Sequence, residues 1–344
     1  MKLISLLLLI LFGSCTRADL AKLKVYDYCS HTALDSRALT SLQQEVSDAS
    51  IPLLSISIIR EGKLTSTYLI GCDDSLDSYT DATLFQAGSI SKLITSCLAL
   101  KLSSRSVNPL PLDTLMRSLL THTAGYNVDG FLGYPHQAPS NAQIIKGTGS
   151  NIFNYQPQKI AATSKQFSYS GGGYSIAQDL IERHERKPLQ DIARYILLDS
   201  LNMRYSTFEL TPMSSFVEGS VWGWKFNHWK LPQSAAAGLW TNTAEYAKFL
   251  ISIYASRQEI SPFYTPYAIE QLLRPTKTLD GYLNPYGLGC YVENNVIYHG
   301  GRTLGYTSFF EISLETGNGY VLMGNSHDIQ KDHILTVLKQ HLSL

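Results

Sequence analysis

Charge of either sign is scarce in this 344-residue chain: 16% of it is charged, and 28 Lys+Arg stand against 28 Asp+Glu. That balance offers no basic face, which argues against nucleic acid as a partner. Cysteine is scarce too, with 5 residues, and their spacing forms neither a CxxC redox pair nor a zinc pattern. The 9 His include no HExxH or comparable ligand spacing, so neither a metal nor another cofactor is expected. No internal repeat and no low-complexity tract is present, which argues against solenoids and linker arrays. The N-terminal apolar run, Leu3–Phe12 with only Ser5 interrupting it, is too short to span a bilayer as a helix.

That run instead follows Lys2, begins at the initiator Met and ends in small residues, the pattern of a signal-peptide h-region. Export is therefore expected, with residues 1–14 as signal peptide and 15–344 as one catalytic domain. Phe12-Gly13-Ser14-Cys15 resembles a bacterial lipobox. Cys15 would then carry the lipid of a membrane-anchored lipoprotein, the alternative being ordinary cleavage and a periplasmic or secreted product. Of the other cysteines, Cys97 reads as a core thiol, and a Cys29–Cys72 disulfide would suit an oxidising compartment. A 44% hydrophobic content is ample for a large core. The 21 Tyr suit a cleft that grips polar organic molecules, because each ring has a polar tip.

Leu39, Leu42 and Val46 recur at helical spacing and predict a helix over Asp35–Ala49. Leu53–Arg60 and Leu64–Gly71 read as strands joined by a hairpin at Glu61-Gly62-Lys63. Val296–Tyr298, Tyr306–Ile312 and Tyr320–Gly324 read as further strands, with turns at Gly300-Gly301 and Thr316–Gly319, and Ile329–Leu342 as a closing helix. In the middle, Leu93–Leu102, Gly173–His184, Leu189–Leu198 and Thr243–Tyr254 have helical character. Long irregular connections separate them, notably Tyr134–Gln158. The expected fold class is α/β: an antiparallel sheet built from both chain ends, flanked by helices, with a helical lobe inserted between. A cleft between two such lobes is a natural active site.

Three segments carry chemistry. Ser89-Ile90-Ser91-Lys92 is the only Ser-x-x-Lys in the chain. At a helix start, residues i and i+3 share a face, so Lys92 can reach the Ser89 hydroxyl. A serine is a weak nucleophile until a base takes its proton, and a desolvated lysine is such a base. Tyr169-Ser170-Gly171-Gly172-Gly173 places a proton-relaying phenol beside a backbone that can turn sharply. His299-Gly300-Gly301-Arg302 offers a hydrogen-bonding imidazole, with glycines against which a substrate backbone can lie. Taken singly, each motif is matched by a bland alternative: a surface helix start, a packed loop tyrosine, a structural histidine.

In this order the three segments resemble the serine β-lactamase and penicillin-binding-protein superfamily, in its class C-like branch. Leu119–Gly125 (LLTHTAG) and Ala235–Thr241 (AAAGLWT) resemble two more of its segments, and the likeness runs from about Leu53 to Asn325. The resemblance implies Ser89 as acylated nucleophile, Lys92 as its activating base and Tyr169 as proton shuttle. It implies His299 at the first position of the strand motif, and an oxyanion hole from the backbone N–H groups of Ser89 and Arg302, beside Gly301. The branch contains D-alanyl-D-alanine carboxypeptidases, D-amino-acid peptidases and esterases. The expected partner is thus a small peptide, amide or ester substrate. The alternatives are a carboxylesterase, a weak β-lactamase, or a penicillin-binding sensor that stays acylated. Two departures count against strong β-lactamase activity. Gly171 stands where β-lactamases usually have an Asn that helps hold the substrate's acyl-amide group, and His299 replaces Lys. Arg302 is expected to restore positive charge there, and His122 is expected to be structural.

Overall fold

A computed structural model describes residues 24–27, 34–49, 51–71, 79–80, 82–148, 155–159, 166–221, 224–277, 283–327, 329 and 331–342. The expected signal peptide, Cys15, Cys29 and Cys72 lie outside the described residues. A seven-stranded sheet forms the scaffold. Every neighbouring pair in it is antiparallel. The Leu53–Arg60 and Lys63–Gly71 hairpin pairs through Leu53–Arg60 with Gly319–Gly324, which pairs in turn with Tyr306–Ser313 and Val296–Thr303. The two chain ends thus meet inside one sheet, and the helices of the middle are inserted between them, as the sequence leads one to expect.

Apolar residues cover both faces of this sheet. On one face Ala38, Leu42 and Val46 of the Ser36–Asp48 helix pack with Ile334 and Leu338 of the Lys331–Leu342 helix over Leu54, Ile56 and Ile58. On the other face the Ser91–Ser103 and Thr243–Arg257 helices bury Leu93, Cys97, Tyr246 and Phe249 against Ile297, Phe310 and Val321. A sheet covered on two sides buries both sides of its strands, so Leu53–Ile59 is buried throughout although Leu54-Ser55-Ile56-Ser57-Ile58 alternates apolar residues with serines. Its two buried serines are satisfied by partners: Ser55 and Ser57 lie 2.7 and 2.8 Å from the Thr243 hydroxyl.

Two sequence expectations need correction. Gly300-Gly301 is not a turn but the middle of the Val296–Thr303 strand, and the chain reverses between Thr303 and Tyr306. Tyr134–Gln158 is not wholly irregular. A short helix, Asn141–Lys146, starts at a capping box in which Ser140 and Gln143 satisfy each other's backbone N–H groups.

Candidate active site

Ser89 sits on a single 3₁₀ turn, Gly88–Ile90, that runs directly into the Ser91–Ser103 helix. Gly88 adopts φ +57°, a left-handed conformation that favours glycine. The turn is pinned from both sides. Ser91 Oγ donates to Gly88 O at 2.6 Å and accepts from Leu239 N at 3.1 Å. One helical turn on, Lys92 Nζ lies 3.0 Å from Ser89 Oγ and 2.8 Å from Ala236 O. Lys92 is only 1% exposed, and burial brings its pKa down to about 7, with the Asp129 charge opposing the shift. An amine of that pKa is about half free base at pH 7, so a large share of it can accept the Ser89 proton.

Tyr169 immediately precedes the Ser170 cap of the Gly171–Glu185 helix, where Ser170 Oγ accepts from Gly173 N at 2.9 Å. Its ring lies 4.9 Å from Lys92 Nζ. Burial pushes its pKa up, with Ser89 pulling the other way, and its buried hydroxyl completes no hydrogen bond of ordinary geometry. Tyr169 therefore keeps its proton at neutral pH and can donate it, whereas Lys92 can accept one. Gly171 has no room for a side chain: a Cβ there would fall 2.6 Å from the Phe131 ring and 3.1 Å from Asp129 O. Phe131 thus packs beside the position where β-lactamases usually carry their Asn.

His122, expected to be structural, holds Tyr169 in place. Its carbonyl accepts from Ser168 N at 2.8 Å, its Nδ1 from Ser170 N at 3.0 Å, and its ring stands 4.2 Å from that of Tyr169. Its Nε2 lies 3.1 Å from the Tyr286 hydroxyl, which in turn lies 3.1 Å from His299 Nε2. His299 Nδ1 reaches Gly300 O at 2.6 Å. These contacts fix every proton. His122 accepts at Nδ1, so it donates from Nε2 to the Tyr286 oxygen. Tyr286 then donates to His299 Nε2, and His299 donates from Nδ1 to the Gly300 carbonyl. Burial first and the Lys92 charge second lower both imidazoles, His299 to about 3 and His122 well below its usual value. His299 is thus neutral, with Nε2 engaged as an acceptor, and has no charge to offer a substrate carboxylate.

The strand that carries His299 runs close past Ser89. A Cβ on Gly301 would fall 2.3 Å from Ala87 O and 3.0 Å from Ser89 N, and one on Gly88 would fall 2.9 Å from Arg302 N. Only glycine permits this approach, which brings the Ser89 and Arg302 backbone nitrogens to one place. Thr303 and Tyr306 close a two-residue turn. Ladder parity therefore directs the Gly301 and Thr303 amides to the neighbouring strand and the Arg302 amide to the open side. Strand alternation sends the exposed Arg302 side chain to the face opposite the buried His299, Gly301 and Thr303. The guanidinium therefore does not replace the missing lysine charge; Arg302 meets the site through its backbone. Ser89, Lys92, Tyr169, His299, Gly301 and the Arg302 backbone gather in one place, while Gly171, two residues beyond Tyr169, is packed against Phe131. The sequence reading missed Tyr286 and Asp129, neither of which sits in a recognisable local motif. Cys97 and Cys290 are buried free thiols, and burial pushes Cys97 up to about 12.

Comparison with known proteins agrees with this geometry. The Beta-lactamase family model matches residues 39–338. A β-lactamase of Pseudomonas fluorescens is 29% identical over 205 residues, which cover 54% of this chain and 53% of the relative, so the chain spans about half the length of that relative. Among solved structures, a β-lactamase/D-alanine carboxypeptidase of Pseudomonas syringae superposes with a TM-score of 0.69 at 17% identity, over 91% of this chain and 99% of the other. The D-amino acid amidase of Ochrobactrum anthropi superposes at 0.67 and 20% identity, over 89% and 99%. A penicillin-binding protein homologue of Pyrococcus abyssi does so at 0.68 and 18%, over 89% and 77%. With 300 consecutive residues under the family model and the same fold in these neighbours, the chain belongs to the β-lactamase family of serine hydrolases.

Proposed function

We propose that the protein is an exported acyl-transfer hydrolase that forms an acyl-enzyme on Ser89 and cleaves small amides or peptides of the D-amino-acid type. The observation that carries this reading is the 3.0 Å contact between Ser89 Oγ and the buried Lys92 Nζ, whose pKa lies at about 7. Lys92 takes the Ser89 proton as Oγ attacks the scissile carbonyl. The developing oxyanion lies between the backbone N–H groups of Ser89 and Arg302. Tyr169 gives its proton to the departing amine and is reprotonated by the Lys92 ammonium, which restores the free base. Water then enters; Lys92 accepts its proton through Tyr169, the acyl–oxygen bond breaks, and Ser89 recovers its hydrogen.

Two structural neighbours, a D-amino acid amidase and a β-lactamase/D-alanine carboxypeptidase, support an amide of this class. Export rests on residues 1–14. The site is poorly furnished for β-lactams: Gly171 offers no side-chain amide, His299 is neutral, and the Arg302 side chain faces away. The test compares kcat/KM for a cephalosporin, a p-nitrophenyl ester and a D-amino-acid p-nitroanilide in one preparation. The anilide and ester should be turned over and the cephalosporin poorly. A cephalosporin value near the diffusional ceiling of about 10⁸ M⁻¹s⁻¹ would overturn the reading.

A further inference from the structure

We propose that the Asp129 carboxylate binds an ammonium group on the acyl part of the substrate, so that the preferred substrates carry a free amine next to the scissile carbonyl. These are amino-acid amides and the amino-terminal residue of short peptides. The inference rests on the Ser89 acyl-transfer reading and narrows it.

Asp129 is held beside the nucleophile by its backbone. Three successive carbonyls of its loop are bonded to the start of the Gly171–Glu185 helix. Asn127 O accepts from Ser170 Oγ at 2.7 Å, Val128 O from Gly172 N at 3.0 Å, and Asp129 O from Gly171 N at 3.3 Å. The glycines permit this docking, since a Cβ at Gly172 would meet Asn127 O at 2.5 Å. Tyr169 is two residues from Gly171, so the loop cannot drift from the site without moving the proton donor. The carboxylate itself is exposed and makes no hydrogen bond or ion pair with a described residue. Its charge nevertheless reaches Lys92, Tyr169 and Tyr291. Lys92 lies 3.0 Å from Ser89 Oγ, the Tyr169 ring 4.9 Å from Lys92 Nζ and the Tyr291 ring 5.7 Å from that of His299, so the groups that feel this charge line one cleft.

Among the described residues, the opposite wall supplies no fixed cation to balance it. His299 is neutral, Gly300 has no hydroxyl, and the Arg302 guanidinium is on the other face of the strand. A cleft with a carboxylate at its rim, opposed only by a partly protonated Lys92, attracts cations and repels the carboxylates of β-lactams and of peptide C-termini. In a peptide or amino-acid amide, the ammonium nearest the scissile carbonyl is the α-amino group of the acyl residue. On the leaving side the amide nitrogen is part of the bond to be cut, and a dipeptide ends there in a carboxylate. Asp129 therefore selects for amino-terminal, rather than carboxy-terminal, cleavage.

The experiment compares kcat/KM for D-phenylalanine p-nitroanilide and its N-acetyl derivative at pH 7, in the wild-type protein and in Asp129→Asn. p-Nitrophenyl acetate reports separately on the Ser89 chemistry. The free amine should be preferred by about 10- to 100-fold, the range of a hydrogen bond between charged groups. Asp129→Asn should erase most of that preference, lowering the free-amine value far more than the acetylated one. Equal rates on the two anilides in the wild type, with the ester turned over, overturn this inference and leave the acyl-transfer reading standing. A preference that survives Asp129→Asn overturns it as well. Failure on all three substrates, with no label on Ser89, removes the acyl-transfer reading and the inference with it.

Discussion

Replacing Tyr286 by Phe removes one oxygen and keeps the ring, and that oxygen joins two imidazoles at 3.1 Å each. In the variant the His122 Nε2–H loses its acceptor and His299 Nε2 loses its donor. Both rings are buried, at 2% and 4% exposure, so water does not readily replace the hydroxyl. An unsatisfied buried group costs about 1–3 kcal/mol, and two of them about 2–5 kcal/mol after partial relaxation. Catalysis should suffer too, because His122 is the ring against which Tyr169 packs. A displacement of about 1 Å in a positioned group can cost about 100-fold. Urea unfolding gives the stability loss as a fall in midpoint at unchanged slope. The ¹⁵N shifts of the two histidines report their tautomers. In the wild type they should show His122 protonated at Nε2 and His299 at Nδ1, and in the variant at least one should change. A variant within about 0.5 kcal/mol of the parent, with both imidazole spectra unaltered, would refute the proton arrangement derived for this chain.

Gly301→Ala places a Cβ 2.3 Å from both Ala87 O and Ser308 Oγ, so the strand must retreat from Ser89. Loss of an oxyanion donor costs about 10²–10³-fold in kcat, and a loss below tenfold on a p-nitrophenyl ester would speak against that hole. On p-nitrophenyl acetate, which carries no amine, the pH profile of kcat/KM should rise through a single limb near 7, because Lys92 must be unprotonated to act and its pKa is about 7. His299, lowered to about 3, adds no limb between pH 5 and 9, and Tyr169, whose pKa burial raises, adds none on the basic side of neutrality. A limb near 4 would point to a carboxylate base instead.

Legibility from sequence followed the range of the contacts. Ser89 and Lys92 were readable because three residues of helix bring them together, and Tyr169 because a glycine run follows it. Tyr286 was not readable: its partners are His122, 164 residues away, and His299, 13 residues away, and nothing in NPYGLG announces two imidazoles. Asp129 is a lone loop carboxylate whose meaning comes from the docking of its backbone onto Gly171. Gly300-Gly301 read as a turn because glycines in turns and in strands look alike in sequence. What demands glycine at 301 is the approach of Ala87 and Ser89, a contact over more than 200 residues. The sheet built from both chain ends was legible from its apolar runs. The short Asn141–Lys146 helix was hidden by the Gly-, Pro- and Asn-rich residues around it, although Ser140-x-x-Gln143 is a capping-box signature.

The central claim is a covalent acyl group on Ser89. Rapid quenching of the protein with a p-nitrophenyl ester, followed by intact-mass measurement and peptide mapping, tests it directly. The account predicts an adduct of the acyl mass, confined to the peptide bearing Ser89 and absent from Ser89→Ala, which should also lose turnover while keeping its fold. An adduct elsewhere in the chain, or full turnover by folded Ser89→Ala, would contradict it.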